Sequence, residues 1–217
     1  MSDQTVTVEI YSDVVCPWCY VGKRRLERAL KQVDSDVCVT WRPFQLNPTM
    51  PKDGMDRANY LEAKFGSLET FQRLEDHVLE AGRSERIAFA FEKIARTPNT
   101  FLAHRLIWYA RQQDRQDETV ASLFTGYFEE GADIGSHKTL TRLAERAGLN
   151  AERFLRSDEG IEEVKAEEAA GHRLGIRGVP YFVFNGTSAL SGAQPAEQFV
   201  TTLKAVGSDQ AVRKAGV

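Results

Sequence analysis

Apolar and polar positions alternate over residues 6–11 (Val-Thr-Val-Glu-Ile-Tyr), with β-branched residues prominent, and this predicts a first strand. From 17 to 30 the character is helical, and 37–44 (Val-Cys-Val-Thr-Trp-Arg-Pro-Phe) reads as a second strand that closes a strand–helix–strand unit. A link at 45–51, broken by Pro48 and Pro51, follows, and after it the pattern stays helical through residue 174. A helix over 56–65 ends at Gly66. Ser67 caps the next, which reaches Ala81 and stops at Gly82. Residues 87–91 read as a short extended or irregular piece. Asn99, behind Thr97-Pro98, caps a helix with Leu102, Leu106 and Tyr109 on one face. Further helices are predicted over 120–128, 138–147 (between Ser136 and Gly148), 151–156 and 161–174.

At Gly175 the pattern reverts. Residues 181–184 (Tyr-Phe-Val-Phe) form a strand, Asn185-Gly186 is a type I′ hairpin signal, and 188–192 is the returning strand. Pro195 starts a last helix, with Phe199, Leu203 and Val206 on one face, which ends at Gly207 before a frayed polar tail. There is no repeat and no low-complexity tract.

Composition narrows the class. A chain of 217 residues with 42% hydrophobic and 27% charged residues suits a soluble globular protein of one large or two small domains. Net charge is −3 and the basic residues are dispersed, which argues against a nucleic-acid face. No apolar run approaches a membrane span. The first five residues show no basic-then-apolar leader, so a cytoplasmic protein is expected. In that compartment a disulfide is a catalytic state and not a structural staple.

The candidate chemistry lies at Cys16-Pro17-Trp18-Cys19, directly after the first strand. A strand that hands its chain to a helix presents unpaired N–H groups and the positive end of the helix dipole, which favour an anion by about 0.3–1 kcal/mol. A thiolate at Cys16 is such an anion. Proline suits the helix start, because its φ is preset and its missing N–H needs no partner. Cys19, one turn on, lies on the same face and can close a disulfide with Cys16. Zinc would need four ligands, but only Cys38 and four scattered histidines (His77, His104, His137, His172) remain, none at ligand spacing. Cys38 reads as a small buried hydrophobe within the second strand, and Asp13 as a turn residue.

The order of elements is that of a thioredoxin-type domain (5–48 and 175–207) interrupted by an all-helical insertion (49–174): an α/β fold. The chain resembles the DsbA-like branch of the thioredoxin superfamily, and most closely the FrnE-type oxidoreductases. The resemblance rests on Cys16-Pro17-Trp18-Cys19, on Phe44-Gln45-Leu46-Asn47-Pro48, on Asn99-Thr100 with Ala103-His104-Arg105, and on Gly178-Val179-Pro180. It implies thiol–disulfide exchange through Cys16 and Cys19 on disulfide- or thiol-bearing partners, with no bound cofactor and glutathione as a candidate redox partner. It implies a cis Val179–Pro180 bond in a loop that packs against the cysteines and pairs with substrate backbone, and Trp18 as an aromatic contact for substrate. Glu9 stands about where relatives keep a buried acid that takes the proton of the second cysteine. His104 and Arg105 read as packing or polar lining of the cleft between insertion and core. An alternative resemblance is to kappa-class glutathione transferases and 2-hydroxychromene-2-carboxylate isomerases. There glutathione supplies the thiol and serine usually replaces the first cysteine; two cysteines here argue against it.

Overall fold

Strands from both ends of the chain make one sheet, and the helices between them close over it. The computed structural model describes residues 5–66 and 68–215. Strand β1 (Val6–Ser12) pairs in parallel with β2 (Val37–Pro43), and helix α1 (Pro17–Leu30) forms the crossover between them. On its other side β1 pairs antiparallel with β5 (Tyr181–Phe184), which pairs with β6 (Ser188–Ser191). The order is β2-β1-β5-β6. Asn185 and Gly186 in the hairpin take φ values of 50° and 65°, the positive region that this turn requires.

Between β2 and β5 come β3 (Met55–Asp56), α2 (Arg57–Phe65), α3 (Leu68–Ser84), a 3-10 turn at Phe91–Lys93 and β4 (Arg96–Thr97). They are followed by α4 (Phe101–Arg111), α5 (Gln116–Phe128), α6 (His137–Arg146), α7 (Glu152–Leu155) and α8 (Ile161–Arg173). Helix α9 (Ala196–Ala215) closes the described chain. One apolar core runs from Val6, Ile10 and Phe182 through Leu106 and Phe124 to Leu140 and Leu143. Among the described residues, no helix is long and apolar enough to cross a membrane.

Several expectations need correction. The insertion is not all helical: Met55 and Asp56 pair with Thr97 and Arg96 as a two-stranded ribbon, too short to leave a period in the sequence. Helix α3 runs through Gly82 to Ser84, and the Phe89 ring lies 2.5 Å from where a Cβ on Gly82 would be. Gly82 therefore makes room for a ring and does not stop a helix. The cap placed at Ser67 lies outside the described residues. Helix α9 continues past Gly207 to Ala215, since the residues beyond it contain no proline and no second glycine before Gly216. Cys38 is exposed: it sits on edge strand β2 opposite exposed Thr7.

The free edge of β2 is closed by a side chain. The buried Gln116 amide accepts from the Trp41 N–H at 2.9 Å and donates to the Trp41 carbonyl at 3.0 Å, as a neighbouring strand would. Beside it Lys23 of α1, also buried, reaches Asp117 of α5 at 2.8 Å, and the Trp41 indole donates to the same carboxylate at 3.1 Å. These bonds fix α1 and α5 against the sheet. Gln116→Ala leaves two buried backbone groups unpaired, at about 1–3 kcal/mol each. We expect urea unfolding to show a loss of about 2–5 kcal/mol; an unchanged midpoint would mean that solvent reaches this edge.

Candidate functional site

The site grows out of the junction between β1 and α1. The Cys16 N–H donates to the Asp13 carbonyl at 3.0 Å, closing a turn at the end of the strand. Cys16 is then the N-cap of α1 in extended conformation (φ −92°, ψ 111°), with Pro17 at the first helical position. Its carbonyl accepts from the Cys19 N–H at 3.0 Å, while its side chain makes no capping bond. The thiol instead donates across the fold to the Val179 carbonyl, at 3.6 Å. The Val179–Pro180 bond is cis, as the resemblance implied. Gly22, on α1, allows this loop to approach: a Cβ there would stand 3.2 Å from Pro180 Cγ and 3.1 Å from Phe182 Cζ.

Both cysteines are free thiols in contact with each other, and they are unequal. Cys16 is 5% exposed and Cys19 1%. Burial pushes the Cys19 thiol well above its ordinary value, and the hydrogen bond and charge of Cys16 push it further. The Ser12 hydroxyl and the Asp13 backbone pull weakly the other way. Cys19 therefore keeps its proton, and Cys16 is the sulfur with an approach from outside. That approach runs through a cavity.

The cavity is about 290 Å³ and mainly apolar. Val15 to Trp18 form one wall, α2 and α3 another, and Phe91, Tyr127 and Phe128 the back. Trp18 and Leu74, both lining it, are partly open to solvent at 37% and 47%. Glu75 also lines it, and burial raises its carboxyl, partly offset by Arg57. Tyr127 is buried deeply enough to be pushed up to about 12. Val179 and Pro180 are not part of this lining; they meet Cys16 through the sulfur–carbonyl contact.

Glu9 is not brought to the cysteines. It points to the other face of β1, where Arg42 holds its Oε1 at 2.6 and 2.8 Å, while Ser12, on the opposite face, reaches Cys19. The buried acid beside the motif is Asp13. Its side chain is sealed (0% exposed), Oδ2 accepts from the Leu46 N–H at 2.7 Å, and Oδ1 lies 3.3 Å from His104 Nε2. Asp13 does close the turn, but its carboxylate faces the interior. His104 is likewise buried, on the face of α4 that carries Ala103, Leu106 and Ile107. Arg105 binds the carbonyls of Ser157 and Glu159, a packing role as expected. Sequence reasoning did not join Asp13 to His104; the available signal was a charged residue between Ser12 and Val14-Val15 and a histidine amid apolar neighbours. Among the described residues, no group of three His, Cys, Asp or Glu could hold a metal.

The raised pKa of Cys19 has a thermodynamic consequence. The native dithiol holds this proton at a pH where the unfolded chain has lost it, so stability is full below the ordinary thiol value and falls as pH rises through it. Urea unfolding of the dithiol form against pH should show this alkaline loss, and Cys19→Ala should reduce it.

The comparisons agree with this geometry. The profile of the DSBA-like thioredoxin domain matches residues 7–204, and it describes the family at large rather than a branch within it. The Bacillus subtilis protein YwbO is 29% identical over 211 residues, covering 95% of this chain and 98% of its own. The crystal structure of a probable DsbA oxidoreductase from Streptomyces coelicolor superposes with a TM-score of 0.86 at 36% identity, covering 94% of this chain and 90% of that one. A 2-hydroxychromene-2-carboxylate isomerase shares the fold, with a TM-score of 0.69 at 15% identity over 97% and 98% of the two chains. Fold, profile and the S. coelicolor relative converge, and the chain belongs to the DSBA-like thioredoxin family.

Proposed function

We propose that this protein exchanges disulfides through Cys16 and Cys19, with thiol- or disulfide-bearing proteins and glutathione as partners, as a FrnE-type oxidoreductase would. The observation that carries this reading is the inequality of two touching thiols at a helix start: one reached through a cavity, the other buried and protonated. The Cys16 sulfur attacks a substrate disulfide, one substrate thiolate leaves, and a mixed disulfide forms. Cys19, in contact already, attacks the Cys16 sulfur and releases the second substrate thiol. In the oxidised protein the same steps run in reverse. Trp18 and the apolar cavity hold the substrate beside Cys16. Once Cys16 is in a mixed disulfide it has no S–H to donate, so the Val179 carbonyl becomes free to accept a substrate N–H, with Pro180 fixing the loop.

The second reading, a glutathione-dependent isomerase, is favoured by the shared fold alone. It needs bound glutathione and only one enzyme sulfur. Thiol counting separates the two: a mild dithiol should restore two thiols to an oxidised sample, and a fixed count would favour the isomerase.

Purified protein should reduce or reoxidise a model protein disulfide. Cys16→Ser should abolish turnover, and Cys19→Ser should accumulate the mixed disulfide, visible as a mass increment on the intact chain. Undiminished turnover in Cys16→Ser would sink the proposal.

A further inference from the structure

The cavity beside Cys16 has walls of two kinds. Its volume of about 290 Å³ sits at the lower end of small-ligand sites, about 300–1,000 Å³, so it takes a small molecule and not a loop of a folded protein. Much of the lining is apolar and aromatic, with Phe91 and Phe128 inside and Trp18 and Leu74 partly open to solvent. Such walls suit a flat ring. The remaining wall is polar. Arg57, Tyr60 and Lys64 fall on one face of α2 and all three line the cavity, while Thr97 of β4 and Tyr127 of α5 add hydroxyls.

The charges along this wall do not cancel. Glu75 of α3 is the single carboxylate in the lining, and the Arg57 charge already acts on it. Lys64 is held by neutral oxygens instead: its Nζ donates to Asn47 Oδ1 at 3.0 Å and to the Tyr60 hydroxyl at 2.7 Å. An ammonium has three N–H donors, so one is left over. Deeper in, Thr97 is 1% exposed and its hydroxyl completes no hydrogen bond. Tyr127, pushed up to about 12 by burial, keeps its proton and is a donor. The polar wall therefore offers donors and surplus positive charge to whatever fills the cavity.

We propose that this cavity recognises the disulfide that Cys16 attacks, and that its class is a low-molecular-weight aryl disulfide bearing a carboxylate. The ring packs against Phe91 and Phe128, and the carboxylate meets the remaining N–H of Lys64, which makes Lys64 a specificity-determining residue. The Thr97 hydroxyl is left to bond a polar substituent on the ring. This rests on the thiol–disulfide reading of the same site and narrows its oxidising partners to small molecules.

The exchange balances. Cys16 Sγ attacks one sulfur of the aryl disulfide, whose S–S bond breaks with its electrons leaving on the other sulfur as an aryl thiolate. Cys19 Sγ then bonds to Cys16 Sγ and displaces the second aryl thiolate. The two cysteine protons pass to water. The protein is oxidised to its disulfide, the ligand is reduced to two thiolates, and no other oxidant is needed. Aryl thiolates are good leaving groups because their thiols are acidic.

Unreactive probes separate the site from its chemistry. Calorimetric titration of the reduced protein with 2-naphthoate should show saturable binding, and 2-naphthamide, the same ring without the charge, should bind about 3–10-fold more weakly. Lys64→Gln, at an exposed position that the fold does not depend on, should bring naphthoate down to the naphthamide affinity. Lys165→Gln, which removes an equal charge from exposed α8, should change neither. In a Cys38→Ser background, saturating naphthoate should slow the reaction of Cys16 with 5,5′-dithiobis(2-nitrobenzoate), itself an aryl disulfide with carboxylates. Failure of naphthoate to bind or to slow that reaction, equal affinity of the two probes, or equal effects of the two lysine variants would overturn the inference. The same reagent reports the exchange separately, because attack by Cys16 and resolution by Cys19 each release one coloured thiolate. Release of the first alone, with naphthoate binding as expected, would overturn the thiol–disulfide reading and uphold the ligand site.

Discussion

The Cys16 sulfur is held between two pieces of chain 163 residues apart, its own helix start and the carbonyl of Val179. Much else can be traced to this contact. It requires β5 beside β1, which places Pro180 over α1, and it requires Gly22, because a Cβ would crowd both Pro180 and Phe182. It also requires that Cys16 should not cap its helix with its own side chain, which leaves the thiol free to turn outward. A cysteine so placed has its backbone satisfied by the turn to Asp13 and the first helical bonds, while its sulfur meets the Val179 carbonyl and the Cys19 thiol.

The second thiol shows why burial matters as much as spacing. Two cysteines three apart on a helix meet in any such sequence. What makes them different here is that Cys19 faces the β1 side of the core and Cys16 the cavity. Desolvation disfavours the charged form of the inner sulfur, while the outer one borders the cavity. The helices between β2 and β5 supply both cavity walls and, through His104, a neighbour for the sealed carboxylate of Asp13.

Charge is used sparingly in this core. Lys23 is buried but surrounded by Glu27, Asp117 and the face of Trp41, so it costs little and pins α1 to α5. Gln116 satisfies the Trp41 main chain on the free side of β2, so that at this residue the edge cannot pair with another chain. The Asp13–His104 pair is the exception. Among the described residues it alone places a carboxylate in the interior with an oxygen that completes no hydrogen bond.

Much of this was legible in the chain. Strong local signals, such as the alternation of 6–11, the proline after Cys16, the Asn185-Gly186 turn and Gly66 after α2, are set by short-range sterics and by one buried face, so the sequence by itself determined the elements, their order and the dithiol. Weak or long-range features were not legible. Two-residue strands carry no period, and the role of Gly82 depends on a ring that arrives from outside its helix. Whether Cys38 is covered depends on which helix passes over that end of the sheet. Which carboxylate near the motif is buried was likewise decided only in three dimensions. Glu9 and Asp13 are four residues apart, and the pleat of β1 with the turn after it sends one to Arg42 and the other to His104. Side-chain direction along a strand follows from the residue's own position, but what waits on each side is settled by packing from distant parts of the chain.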